Sequence, residues 1–221
     1  MNEMNSVFAW ITDSVITQEI LIFMLFIPII ATLVNISRYI IGFKTFGIYA
    51  PMTLAFAYVF TGLRFGLLVT AAVIIASLLS YTLLKQIRMH YLSRITINYI
   101  LITFVLLGVL ILNEISPWSI TTENHQIATI PPLGVILIAT LSDFFVKEYI
   151  KKDFLTTIRS LLETIIIAIV GWILLRSEEL QQFLLQNIWI HLPILLLNFF
   201  IGQYKELRFK DLFRFKKISN E

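Results

Sequence analysis

The sequence predicts an all-α integral membrane protein, and three observations predict it. Of its 221 residues, 58% are hydrophobic and 14% charged, with a mean hydropathy of +0.85, whereas soluble domains carry roughly a quarter charged residues. Apolar stretches recur along the whole chain instead of gathering into one core. The basic residues fall almost wholly into alternate gaps between those stretches. In water such a chain would expose far more contiguous apolar surface than the roughly few hundred Å² that soluble monomers show, so its solvent is lipid. Runs such as Ile95 to Leu112 lack the alternation of a barrel strand. A lipid-embedded segment must satisfy its own backbone hydrogen bonds, so each span is a helix.

The spans are placed at about 20 to 36, 46 to 60, 65 to 84, 96 to 113, 127 to 146, 158 to 175 and 186 to 203. The first has neither the positive flank nor the small-residue cleavage site of a signal peptide and reads as an uncleaved helix. Residues 1–19 contain no Lys or Arg and are expected outside the cell. The second span is short, contains Gly47 and Pro51, and turns at Thr61-Gly62 into the third. The fifth opens on Ile130-Pro131-Pro132-Leu133-Gly134, and the polar stretch from Asp143 to Arg159 is expected to be the loop after it. Residues 20–203 then form one helical bundle, in a single transmembrane domain closed by the basic tail 204–221.

Orientation follows from Lys and Arg, because positive residues beside helix ends hold a loop on the cytoplasmic side. With seven spans, 15 of the 17 basic residues fall on one face, in the gaps after spans one, three and five and in the tail. Only Arg64 and Arg176 lie opposite. That split requires an odd number of crossings, and it places the amino terminus outside and the tail in the cytoplasm. Trp10, Trp118, Trp172 and Trp189 all fall at the predicted outer boundary, where indole rings concentrate.

Spans two and five differ from the rest. Proline removes a backbone donor and clashes with the preceding turn, so both are expected to begin as unwound or re-entrant chain. Each is the middle member of a triplet, spans one to three and four to six, and three crossings reverse the chain, so a duplicated triplet sits inverted. Paired Gly/Pro-interrupted segments in two halves point to a midplane site, where half-helix ends and freed backbone groups hold ions or anions. Simple shaping of helix packing by the prolines explains them equally well.

A charge within the hydrocarbon costs at least a few kcal/mol, so intramembrane carboxylates are candidates for function. Asp143 is placed at the cytoplasmic end of span five. Glu163 is placed about one turn into span six, with Arg159 on the same helical face. Thr45, Gly47, Pro51, Pro131, Pro132, Gly134, Asp143, Arg159 and Glu163 are therefore the candidate substrate pathway; an interfacial Arg159–Glu163 ion pair is the plainer alternative. Asn35, Ser37 and Arg38 are candidates for a cytoplasmic vestibule, unless Arg38 merely reaches the headgroups. His90, His125 and His191 form no metal-binding spacing, and no nucleophilic triad, P-loop or dinucleotide fingerprint is present. Neither catalysis, a cofactor, a metal nor a nucleic-acid partner is expected. With no cysteine, disulfides are excluded. Beyond Gly202 the chain alternates basic residues with Phe and Leu, a pattern that suits an interfacial helix on anionic lipid or a docking arm for a soluble partner.

Three stretches carry a family resemblance: Lys44-Thr-Phe-Gly-Ile-Tyr-Ala-Pro51, the run from Pro132 to Thr140, and the closing pattern of Gly202, Tyr204, Arg208, Asp211, Leu212, Arg214 and Phe215. They resemble the bacterial seven-helix domain often fused to an inactive transglutaminase-like domain, over about residues 20 to 217. The 221 residues contain only the helical part. The domain is also distantly similar to the small membrane subunit of poly-γ-glutamate synthase, and such genes tend to lie beside those of ATP-grasp ligases and retropepsin-like proteases. The resemblance implies a non-catalytic membrane component for making, anchoring or exporting glutamyl peptides or polyglutamate, partnered by an ATP-grasp or Mur-ligase-like enzyme and an anionic glutamyl polymer. Two other functions fit the sequence: a secondary transporter of small anions or amino acids, and a scaffold for a cytoplasmic ligase or protease.

Overall fold

The computed structural model describes residues 18–87, 89–115 and 132–203. The amino-terminal segment with Trp10, the stretch holding Trp118, His125 and Pro131, and the tail residues Tyr204, Arg208, Asp211, Arg214 and Phe215 lie outside them. The described chain is helical: α1 Gln18–Ile36, extended by a π-turn Ser37–Ile41; α2 Tyr49–Thr61; α3 Leu63–Leu84; α4 Tyr91–Ile115; α5 Pro132–Lys151; α6 Phe154–Arg176; α7 Glu178–Gln186; and α8 His191–Gln203, entered through a 3-10 turn, Ile188–Ile190. Four segments are long and apolar enough to cross a membrane, Ile20–Ile41, Leu63–Leu84, Leu92–Ile111 and Phe154–Arg176; the last pair, 178–186 and 188–203, meets the same test together but bends by 92°.

The chain divides into two compact units, one of Met1–Gly42 with Leu174–Glu221, the other of Phe43–Ile173. The second holds the larger core. Ala50, Leu54, Ala57, Tyr58 and Thr61 make one buried stripe on α2, at the spacing of a single helical face. They pack with Phe65, Val69, Val73 and Ala76 of α3, Ile102 of α4, and Ile138, Leu141 and Phe145 of α5. Two close approaches fix this packing. A Cβ on Gly66 would meet the Tyr58 ring at 2.6 Å and Thr61 Oγ1 at 2.7 Å; one on Gly134 would meet Thr61 Cγ2 at 2.6 Å and the Ala57 carbonyl at 3.3 Å. Small residues that let backbones touch are the usual glue where lipid gives apolar faces no reason to associate. Gly62, at φ 76°, makes the one-residue turn between α2 and α3, so the Gly62–Gly66 pair serves a turn and a helix contact.

The burial pattern is inside out. Ser77, Ser80, Asn98, Ser142, Thr157, Ser160, Glu163 and Thr164 are buried, while Ile100, Phe104, Leu107 and Ile111 of α4 are exposed. Lipid on the outside explains both.

In the first unit, α1 and α8 are joined by polar side chains. Asn198 Nδ2 donates to Thr32 Oγ1 (2.6 Å), and Asn35 Nδ2 donates to Asn198 Oδ1 (2.9 Å). His191 places Nδ1 2.9 Å from the Ile188 carbonyl and Nε2 2.9 Å from that of Leu25. Thr32 Oγ1 in turn donates to the carbonyl of Pro28, which lies inside α1.

Three expectations are corrected. Asp143 does not open a loop: α5 runs on to Lys151, and Lys152 and Asp153 alone separate it from α6. The apolar stripe Ile138, Leu141, Phe145 and Tyr149 continues past the charge and holds the helix in the core. Glu163 lies nine residues into α6, not one turn, because that helix begins at Phe154. The seventh span is not one helix through 186–203. Ser177 Oγ caps a separate helix by accepting the Leu180 N–H (3.4 Å), and Glu178 and Glu179 sit in its first turn, where negative charge suits the helix dipole.

Candidate functional site

The predicted pathway residues come to rest at three places in the 43–173 unit. The first is the entry to α2. Residues 42–45 have no regular structure and 46–48 form a turn, so the expected unwound start is present. Pro51 is buried in the first turn of α2, where a missing N–H breaks no intrahelical bond; it starts the helix and does not interrupt it. Pro132 likewise opens α5, which has its full 20 residues.

What the irregular stretch lacks in helix bonds, α6 supplies. Glu163, 7% exposed, accepts the Lys44 backbone N–H on Oε2 at 2.5 Å and the Arg159 Nε–H on Oε1 at 3.2 Å. Thr164 Oγ1 accepts the Phe46 N–H at 3.2 Å and donates to the Ser160 carbonyl. Thr45 Oγ1 turns back to the carbonyl of Gly47 (2.9 Å), and Gly47 has φ 84°. The Arg159–Glu163 ion pair exists, but its arginine is 65% exposed, which makes the pair itself weak. The larger work of Glu163 is to hold backbone. At 13 residues α2 spans about 20 Å, short of a hydrocarbon core of about 30 Å. The non-helical stretch before it has its Lys44 and Phe46 N–H groups satisfied by α6.

The second place is the contact of Gly134 with the end of α2, which is packing. The third is a cavity of about 60 Å³ among α3, α4 and α5, lined by Ser77, Ser80, Tyr81, Arg94, Asn98, Asp143 and Lys147 with apolar neighbours. Asp143 Oδ2 accepts the Tyr99 hydroxyl (2.9 Å), and Asn98 Nδ2 donates to Ser142 Oγ (3.2 Å). Arg94 turns Nη2 toward the carbonyls of Leu84 (3.5 Å) and Ile87 (3.4 Å), bracing the α3–α4 connection. Yet Arg94 Nε and Asn98 Oδ1 are buried without a hydrogen-bond partner. An aromatic chain bridges this cavity and the α2 entry: Phe46 meets Phe145 edge-on, Phe145 stacks on Tyr149, and Tyr149 meets Tyr81 edge-on, with centroids at 6.2, 6.1 and 5.0 Å.

Asp143 is thus separated from Glu163, and Arg94 and Asn98 join it in their place. Both were missed as site residues, although an Asn at the start of an apolar run with an Arg four residues before it, on one helical face, was a readable signal. Of the vestibule candidates, Asn35 is engaged by Asn198, Ser37 Oγ donates to the Leu33 carbonyl, and Arg38 is exposed. Gly202 is exposed near the end of α8. Trp172 is half-buried and Trp189 is 56% exposed.

No curated protein and no solved structure matches the chain. Residues 2–219 match a family described as seven transmembrane helices usually fused to an inactive transglutaminase. The match covers nearly the whole sequence, and the chain belongs to that family.

Proposed function

We propose, from the premise of a seven-helix membrane domain of this family, that the protein is the non-catalytic membrane component of a system that makes, anchors or exports glutamyl peptides or polyglutamate. It sits in a bacterial plasma membrane, amino terminus outside and basic face in the cytoplasm, beside an ATP-dependent ligase of the ATP-grasp or Mur-like kind. The observation that supports the reading most is the cavity, whose lining includes both Arg94 and Lys147, from separate gaps on the predicted cytoplasmic face. Two cations against the single carboxylate of Asp143 leave room for one more negative group, which a glutamyl chain carries at every residue. Positive charge on that face also raises the local concentration of a polyanion.

Deleting the gene is expected to lower cell-associated or secreted glutamyl peptides, measured by mass spectrometry after acid hydrolysis of the polymer fraction; unchanged levels would rule the reading out. A transporter of small anions or amino acids is the second reading, favoured by the non-helical stretch before α2 that Glu163 holds in place. In that case purified protein in liposomes accumulates a labelled amino acid under an ion gradient without any ligase present.

A further inference from the structure

We infer that His191 is a proton-binding site, and that its imidazolium form, with an N–H on each ring nitrogen, is what ties the start of α8 to α1. Its Nδ1 lies 2.9 Å from the Ile188 carbonyl and its Nε2 lies 2.9 Å from the Leu25 carbonyl. A carbonyl oxygen only accepts, and a neutral imidazole has one N–H and one bare nitrogen. In the neutral ring one of the two contacts therefore sets lone pair against lone pair, whichever tautomer is present. Only the protonated ring makes both bonds. Turning the ring over would put C–H groups against both carbonyls in their place. The Ile188 carbonyl also accepts the His191 backbone N–H, and its two lone pairs accommodate both donors.

The surrounding sequence explains why this charge rests on carbonyls. No charged residue stands between Ile20 and Ser37 of α1, in Ile188–Ile190 or elsewhere in α8. Glu178 and Glu179 of α7, and Arg38 and Tyr39 of the π-turn, are exposed; Glu19 stands in the first turn of α1, six residues before Leu25. Pro28 has no N–H to give the Met24 carbonyl, so the α1 ladder is a donor short one residue from Leu25, and the ring crosses from α8 beside that gap. His191 is only partly buried, so a proton can come and go without unfolding the joint. About 10 Å further along α8, Asn198 bonds Thr32 and Asn35 of α1, and none of these groups titrates. Loss of the proton thus releases one end of a joint whose other end holds, which makes it firm in acid and slack in alkali. The site needs neither the polymer nor the ligase of the proposed function.

The test uses the full chain in phosphatidylcholine nanodiscs at about pH 5 and about pH 8, the two ends of the range in which histidine changes charge. With His90→Gln and His125→Gln in place and isotope-labelled histidine, nitrogen NMR reads the remaining ring alone. Both its nitrogens are expected to carry a proton at the lower pH and one of them at the higher. Hydrogen exchange in 20–36 and 191–203, taken relative to 49–84 of the same sample, is expected to be about tenfold faster at the higher pH, as for loss of one charged hydrogen bond. His191→Phe should show the faster relative exchange at both pH values. Because that variant gives up the joint and is at risk of misfolding, His191→Lys, a permanent cation with several N–H donors, provides the counterpart and should keep the slower relative exchange at both. A bare ring nitrogen at the lower pH, a ring that gains its proton while relative exchange stays unchanged, or a pH dependence that persists in His191→Phe or His191→Lys would overturn the inference.

Discussion

The two units of this chain face the same solvent and hold together differently. In residues 43–173 helices approach closely at Gly66 and Gly134, and a buried carboxylate secures the non-helical stretch before α2. In the unit of 18–42 with 174–203, α1 and α8 are joined by neutral polar groups, Thr32, Asn35 and Asn198, while Leu195, Leu196, Phe199 and Phe200 of α8 remain exposed. Lipid removes the hydrophobic incentive for helices to meet. Close packing and side-chain hydrogen bonds are the two substitutes; the 43–173 unit combines them, with Tyr99–Asp143 and Asn98–Ser142 between α4 and α5, and the other unit relies on the second.

The contrast is sharpest at Gly134. Gly134→Val places a branched side chain where even one carbon meets Thr61 at 2.6 Å and a backbone carbonyl at 3.3 Å, so about 3 kcal/mol of stability should be lost, read from tryptophan fluorescence during detergent-driven unfolding. Next comes Glu163→Leu, which leaves the Lys44 N–H without its acceptor and is expected to cost about 2 kcal/mol. Glu163→Gln keeps an oxygen in place and should lose less than half of that; equal losses would mean that the charge, and not backbone satisfaction, is what matters there. The smallest effect is expected in the other unit. Asn198→Leu removes two interhelical bonds of about 0.6 kcal/mol each, and hydrogen exchange should quicken in 18–42 and 188–203 while 49–84 stays protected. Faster exchange in 49–84 as well would dissolve the distinction between the units.

Much of this was legible in the chain itself. Hydropathy located α1, α3, α4 and α6 to within a few residues, because a run of some twenty apolar residues has few other uses. The non-helical entry to α2 was readable from Gly47 and Pro51. The course of α5 beyond Asp143 was not, since a charge looks like the end of a span until Tyr99 is known to meet it. Nor was α7 found by hydropathy: its signals are local, a Ser177 cap and apolar residues 180, 183 and 184 on one face. The separation of Asp143 from Glu163 was beyond sequence reasoning altogether, because both are simply acids near a span, and only the neighbours brought by α4 and by the 43–48 stretch tell them apart.

The clamp at Lys44 and Phe46 ties motion to wetting. Two backbone amides are covered there by two adjacent side chains of one helix, so shifting that helix by a single turn would bare both N–H groups together. Away from α6 both need another acceptor, and water must supply it before the stretch can move. Any opening of this segment is therefore also its hydration, and the cover that α6 provides is what holds it.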